Sequence, residues 1–361
     1  RGVGERERVS RHIRLTLRAT CIVAFLTQLA STAHAQTSTF VPYLKRTEVN
    51  EFITRITAQH GLNRSWVEKT LAQARYSETA EKLNTPSLNP PWQRNWNDYR
   101  SRNVSVERVR RGLEFLQTHQ ATLERAQQQW GVPREVITAI IGVETLYGRI
   151  TGRLRTLDVL TTLSFDYTRR AALFREELTH YLLWCREEDM DPTVPRGSFA
   201  GAMGLAQFMP SSLRVYAVDF DNDGHINLSQ SPADAIGSVA AFLAAQGWQR
   251  DAPLLLKVEP TVQLVALVDQ GIEPKRPWSE LSAQGVRVEG GVALPPTLPV
   301  LLIDLPSPSM EIEGALDVDW RLGGTNLAAL LQYNRSYFYA AAVVELAQTL
   351  QDAERYAVVV P

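Results

Sequence analysis

Apolar positions recur at helical spacing through the first two thirds of the chain. Val49, Phe52, Ile53 and Ile56 fall on one face of a 3.6-residue repeat, and Val106, Val109, Leu113, Phe115 and Leu116 continue the theme on a basic, polar background. Asn89-Pro90-Pro91-Trp92 reads as a linker or turn. Gly131-Val132-Pro133 ends one helix and starts the next, with Pro133 suited to a first helical turn. Residues 136–147 are apolar on nearly all sides, the pattern of a buried helix. After Trp248 the pattern changes. Leu254-Leu255-Leu256-Lys257-Val258, the alternating Val262, Leu264, Ala266 and Val268, Val286-Arg287-Val288, Val300-Leu301-Leu302-Ile303 and Leu316-Asp317-Val318-Asp319-Trp320 predict strands separated by Pro and Gly. Helical character returns at Leu327 and runs to about Tyr356. The reading is an α+β chain, mainly α, whose helical body carries a small β-rich insertion.

With 361 residues, 44% of them hydrophobic, the chain has ample material for a sizeable core. The formal net charge of -1 offers no basic excess for nucleic acid and permits an uncharged or mixed ligand such as a polysaccharide. The first 35 residues stand apart: Arg11, Arg14 and Arg18 precede the apolar run Cys21-Ile22-Val23-Ala24-Phe25-Leu26, and Ala33-His34-Ala35 supplies a small-x-small cleavage pattern. That is the layout of a secretory signal, and the run is short of the ~20 residues a membrane span needs. Cys21 begins the apolar region instead of following it, which argues against lipid anchoring there. Periplasmic export is expected. Cleavage after Ala35 would leave Cys185 as the one cysteine, in the apolar run Tyr181-Leu182-Leu183-Trp184, and such a setting suits packing more than reactivity.

Four segments could carry chemistry. Glu144 sits in Ile140-Ile141-Gly142-Val143-Glu144-Thr145-Leu146-Tyr147-Gly148. A carboxyl in so apolar a helix loses solvation and keeps a proton near neutral pH, as a general acid requires. The alternative is a buried Glu paired with Arg149 or Arg153. Residues 197–212, Gly-Ser-Phe-Ala-Gly-Ala-Met-Gly-Leu-Ala-Gln-Phe-Met-Pro-Ser-Ser, are too rich in glycine for a plain helix and too apolar for a solvated loop. Ser198 and Gln207 could bond a sugar, or the segment could be a packing turn before a helix capped by Ser211 or Ser212. Asp219-Phe220-Asp221-Asn222-Asp223-Gly224-His225 matches the start of a calcium loop, with Gln230 where the twelfth-position acid would stand and Asp234 four residues on. A polar Asx turn is the other reading. Gln332-Tyr333-Asn334-Arg335-Ser336-Tyr337-Phe338-Tyr339 could stack on sugar rings or serve a core.

In this order the four segments resemble the lytic murein transglycosylase B family, the peptidoglycan lyases of glycoside hydrolase family 103. The resemblance rests on residues 140–145, on Leu157-Asp158-Val159-Leu160-Thr161-Thr162-Leu163-Ser164-Phe165, on residues 197–212, on Gly224-His225-Ile226-Asn227-Leu228 with Asp234-Ala235-Ile236-Gly237-Ser238-Val239, and on Tyr333-Asn334 with Ser336 and Tyr339. It covers residues 40–347. It implies a signal peptide at 1–35, an added helical domain at 36–134, a lysozyme-like catalytic core with a calcium loop at 135–249, a β-rich subdomain at 250–326 and a C-terminal helix at 327–361 completing the core. It assigns acid/base catalysis to Glu144 and sugar binding to Ser198, Gln207, Tyr333, Asn334 and Tyr339. It makes Asp219, Asp221, Asp223, the His225 carbonyl and Asp234 the ligands of a structural calcium ion, with no organic cofactor. Two departures stand out: the stretch between Leu228 and Asp234 is one residue longer than the family pattern, and Leu322-Gly323-Gly324-Thr325-Asn326-Leu327 is less aromatic.

Most glycosidases use two carboxylates, and no second carboxyl in a comparable apolar setting stands near Glu144. The implied reaction needs only one: cleavage of the β-1,4 bond between N-acetylmuramic acid and N-acetylglucosamine, with the sugar's own C6 hydroxyl closing a 1,6-anhydro ring. A lysozyme-type hydrolase, a non-catalytic glycan-binding protein and a calcium-binding structural protein are the rivals. Peptidoglycan strands are the expected partner, with room for cell-wall synthesis or remodelling proteins, and a monomer is expected.

Overall fold

The computed structural model describes residues 42–85, 94–269 and 271–359, with side chains to 356. The expected signal sequence and the expected turn at Asn89–Trp92 lie outside them. Residues 43–361 form one compact unit.

The N-terminal part is built from α1 (Thr47–His60), α2 (Arg64–Leu71), α3 (Glu78–Asn84), α4 (Trp96–Asn103), α5 (Val106–Thr118) and α6 (Gln120–Trp130). Their starts follow local chemistry. Asn63, Ser77, Asn95 and Ser105 each accept a bond from the backbone N–H three residues on, filling one of the donors a helix start leaves open. Helix α6 ends at Gly131, whose φ of 75° lets the chain turn left-handed.

Helix α7 (Arg134–Thr145) is the axis of the molecule. Pro133 is its N-cap and not its first-turn residue, with extended ψ of 138°. Val136, Ile137, Ala139, Ile140 and Ile141 are all buried, because α5, α6, α11 (Pro232–Ala245) and α15 (Tyr337–Val359) pack around them. Each Ile or Val so buried contributes roughly 1.5–3 kcal/mol by leaving water. Between α7 and α11 lie the two-residue strand β1 (Leu154–Arg155), α8 (Thr156–Phe165), α9 (Ala171–Glu187), β2 (Arg196–Gly197) and α10 (Pro210–Tyr216). Cys185 is buried on α9, and burial pushes its thiol up to about 12.

The insertion holds a four-stranded antiparallel sheet of order β3-β6-β5-β4, from β3 (Leu256–Lys257), β4 (Arg276–Pro277), β5 (Pro299–Pro308) and β6 (Leu316–Gly323). Alternation along β5 divides its side chains between two cores. Leu301, Ile303 and Leu305 join the helical core, whereas Val300 and Leu302 join a smaller one with Trp320 and Leu322. Arg321, 3% exposed, bonds Asp319 (2.6 Å) and Glu345 on α15 (2.8 Å), tying sheet to helix. Two strand expectations are corrected. Leu264–Leu267 is a helical turn, α12, which buries Leu264 and exposes Val265; its alternation is also compatible with i,i+3 spacing over so short a run. Val286–Val288 contributes only a single bridge from Val288 to Val258. Helix α13 (Trp278–Ala283) also lies in the insertion, and α14 (Thr325–Tyr333) follows it.

Candidate active site

Glu144 is the penultimate residue of α7, where the helix ends in an uncommon way. Leu146 and Tyr147 are both left-handed, with φ of 50° and 58°. Non-glycine residues occupy that region at a cost and need support from their surroundings. The support is visible. Tyr147 lies over Gly142, where a Cβ would meet its hydroxyl oxygen at 2.5 Å. The same hydroxyl donates to the Arg108 carbonyl (3.0 Å), and Arg108 Nε donates to the Gly142 carbonyl (3.0 Å). Thr145 is buried; its hydroxyl lies 3.1 Å from the Ile141 carbonyl and 3.0 Å from the Leu205 carbonyl, and accepts from Gly148 N–H.

The Glu144 carboxyl has no ion-pair partner among the described residues, and Arg149 is exposed. The paired-Glu alternative is therefore set aside. Burial pushes its carboxyl up to about 7, with the Tyr339 hydroxyl acting in the opposite sense. That hydroxyl is buried and meets no hydrogen-bond partner. It faces the Glu144 carboxyl, whose ionised form it favours, although the contact falls short of regular hydrogen-bond geometry. Tyr333 stacks on Tyr339, with ring centroids 6.3 Å apart and planes 15° apart, and donates to the Ala206 carbonyl at 2.5 Å. The hydroxyls of Tyr99, Tyr333 and Tyr339 all feel the Glu144 charge. Tyr99, on α4, is a further aromatic residue near Glu144 that sequence reasoning missed. Its neighbours are Trp96 and Phe338. The signal available was weak, since α4 is polar overall and carries no motif.

The glycine-rich segment reaches this site through Leu205 and Ala206. Its glycines serve the chain's own packing: a Cβ on Gly201 would meet Leu160 at 2.6 Å, and one on Gly204 would meet the Leu228 carbonyl at 2.5 Å. Ser198 Oγ accepts from the N–H groups of Ala200 and Ala202, which leaves its proton free to donate outward. Gln207, left-handed at φ 49°, donates its amide to the Thr151 and Gly204 carbonyls, so its Oε1 is the atom left to accept. Neither Ser211 nor Ser212 caps α10. Ser211 instead bonds Glu177 through both N–H and hydroxyl. Asn334 is exposed beside Tyr333, in the break between α14 and α15.

In the acidic loop, carboxylate oxygens of Asp219, Asp221 and Asp223 lie within 4.8 Å of one another. They accept from the N–H groups of Asp223, Gly224 and His225, and from the Ser231 hydroxyl at 2.6 Å. Asp234 is not in that cluster. It is fully buried, and its two oxygens accept from Phe220 N–H (2.8 Å) and Asn227 N–H (2.7 Å), stapling the two ends of the loop. His225 is exposed.

Residues 45–348 match the family model described as Transglycosylase SLT domain. The chain is 38% identical over 307 residues to membrane-bound lytic murein transglycosylase B of Escherichia coli, covering 83% of this chain and 81% of the relative. It is similar to the crystal structure of the soluble lytic transglycosylase SltB1 from Pseudomonas aeruginosa at a TM-score of 0.77 and 37% identity, over 85% of this chain and 99% of that one. It is also similar to the Escherichia coli lytic transglycosylase Slt35 in complex with calcium, at a TM-score of 0.72 and 36% identity, over 84% and 92% of the two chains. A third solved relative, SltB3 from Pseudomonas aeruginosa in complex with NAG-NAM-pentapeptide, matches at a TM-score of 0.69 and 27% identity, over 84% of this chain and 78% of that one. With its mainly helical, lysozyme-like fold, the chain belongs to the lytic murein transglycosylase B family and is a peptidoglycan lytic transglycosylase.

Proposed function

We propose that Glu144 works alone, first as acid and then as base. The observation that carries this is its carboxyl: half-buried at the end of a buried helix, without an ion-pair partner among the described residues, and raised to about 7 by loss of solvation. Protonated, it gives its proton to the glycosidic oxygen linking N-acetylmuramic acid to N-acetylglucosamine, and the bond from that oxygen to the muramic C1 breaks. The substrate's N-acetyl group assists at C1. The Glu144 carboxylate then takes the proton of the C6 hydroxyl on the same sugar as O6 bonds to C1. One product carries a 1,6-anhydro ring, and no water is consumed. An intramolecular nucleophile gains the entropic advantage of proximity, so no second carboxylate has to activate water.

Tyr333 and Tyr339 wall the carboxyl, and their aromatic faces together with Ser198, Gln207 and Asn334 hold the sugars. The free Ser198 proton and the free Gln207 Oε1 suit a sugar's mixture of acceptors and donors. The donor set of the acidic loop fits a calcium ion, because three carboxylates brought this close repel one another unless a cation offsets them. Asp219, Asp221 and Asp223 would hold it with the His225 carbonyl, and Asp234 would hold the loop ends. Bound calcium would supply structure and no chemistry. Export to the periplasm is supported by the basic start, apolar run and Ala33-His34-Ala35 of the N-terminal sequence.

The test is digestion of purified peptidoglycan followed by mass spectrometry. Anhydro-ended muropeptides are expected from the wild type and none from Glu144→Gln. Reducing ends in place of anhydro ends would indicate a lysozyme-type hydrolase, and products from Glu144→Gln would rule out its role.

A further inference from the structure

A cleft of about 550 Å³ opens beside the strand pair β1/β2, lined by Gln73, Arg75, Arg155, Thr193 and Arg196 with Ala72 and Ala74. Its size is that of a small-ligand site, and three arginines line it. Arg155 and Arg196 are direct partners in the antiparallel ladder. Like charges placed opposite each other in a sheet destabilise it, so folding alone gives no reason for the pair. Compensation within the chain is partial. Arg155 lies 3.5 Å from Asp158, its Nε is buried without a hydrogen-bond partner, and its charge also reaches Asp191. Arg196 spends its guanidinium on the Thr193 and Val194 carbonyls. Neither Arg75 nor Arg196 has an ion-pair partner among the described residues, and both are exposed. Three cations thus face two carboxylates, and the cleft is left positive.

Its position gives that charge a use. Arg196 precedes Ser198 by two residues, no more than about 7 Å along the chain, and the Thr151 carbonyl bonded by Gln207 lies just before β1. The cleft therefore borders the segment assigned to sugar binding. An extended peptide of five residues reaches roughly 17 Å. We infer that the cleft of Arg75, Arg155 and Arg196 is a carboxylate-binding subsite that takes the acidic side chains or C-terminus of the peptide attached to the glycan. Guanidinium forks match planar carboxylates bidentately. The inference rests on the glycan reading of the Ser198 segment.

The test is calorimetric binding to the intact-length Glu144→Gln protein, using NAG-NAM-pentapeptide, the same ligand with its carboxylates amidated, NAG-NAM without peptide, and inorganic phosphate. Adding Arg75→Gln and Arg196→Gln is expected to weaken the free-acid pentapeptide ligand at least about tenfold, while NAG-NAM binding stays within about twofold. Amidation is expected to weaken binding to the unmodified cleft to a similar degree, with no further loss in the double variant. Arg196→Lys, which keeps the charge, separates recognition from any loosening of the loop, and thermal melts report folding. An equal loss for both sugar ligands, no loss for either, or competition by phosphate as effective as the peptide's would overturn the inference. Failure of NAG-NAM itself to bind would instead remove the glycan reading on which it stands.

Discussion

The hydroxyl of Thr145 lies 3.0 Å from the carbonyl of Leu205. Sixty residues separate the two in sequence, and this contact joins the end of α7 to the glycine-rich segment. It fixes where Glu144 sits relative to the segment proposed to hold the sugars.

Replacing Thr145 by Val keeps shape and removes that link. The Leu205 carbonyl and Gly148 N–H lose a partner in a buried setting, which should cost roughly 1–3 kcal/mol in chemical denaturation. Because Glu144 is the adjacent residue, kcat should fall more than KM rises, and Thr145→Ser should restore both. A kcat unchanged by Thr145→Val would separate the contact from catalysis.

The Glu144 carboxyl, raised to about 7 from an ordinary 4.5, makes two predictions about pH. In the proposed role of general acid it must be protonated in the free enzyme, so kcat/KM should decline as pH rises through about 7. For stability, the folded state holds its proton more tightly than the unfolded chain. The contribution is fully present below pH 4.5 and is lost as pH rises through about 7. Glu144→Gln, which cannot ionise, should therefore be more stable than the wild type at pH 8, by on the order of 3 kcal/mol, and nearly level with it at pH 4. Equal melting differences at both pH values would contradict the raised carboxyl.

Tyr339 pulls the other way. Its buried hydroxyl faces the Glu144 carboxyl and favours the ionised form. Tyr339→Phe should move the alkaline limb of kcat/KM to higher pH, because it removes the group that favours the ionised carboxyl. A limb that stays in place, read from pH–rate profiles, would show that the hydroxyl does not act on Glu144.

The acidic loop should respond to calcium through stability. At a concentration a hundredfold above its Kd, calcium should add about 2.7 kcal/mol, and chelation should reverse this in thermal melts. Asp219→Asn with Asp221→Asn should abolish the response, because these two supply much of the carboxylate charge in the cluster. A wild-type melting temperature indifferent to calcium would leave the loop as a turn held by its own hydrogen bonds.

The sequence alone determined the helical body, because a buried helix such as 136–147 and amphipathic ones such as α1 and α5 write their period into the order of apolar residues. It determined the extended runs β5 and β6, and it marked Glu144 as a carboxyl short of solvent. In each case the signal is local, one residue read against neighbours within a turn or two. Tertiary structure decided what depends on distant partners. Leu264–Leu267 became helical because a short alternation fits either period and packing chose. The glycines at 201 and 204 met Leu160 and Leu228 of the same chain, so the segment's shape reflects internal packing as well as any ligand. Asp234 turned inward to staple the loop. Tyr99 came to the carboxyl from a polar helix that carries no motif. Arg155 and Arg196, forty-one positions apart, became ladder partners. Neither a period nor a motif encodes such pairings, since they arise when the hydrophobic core closes and brings separate faces together.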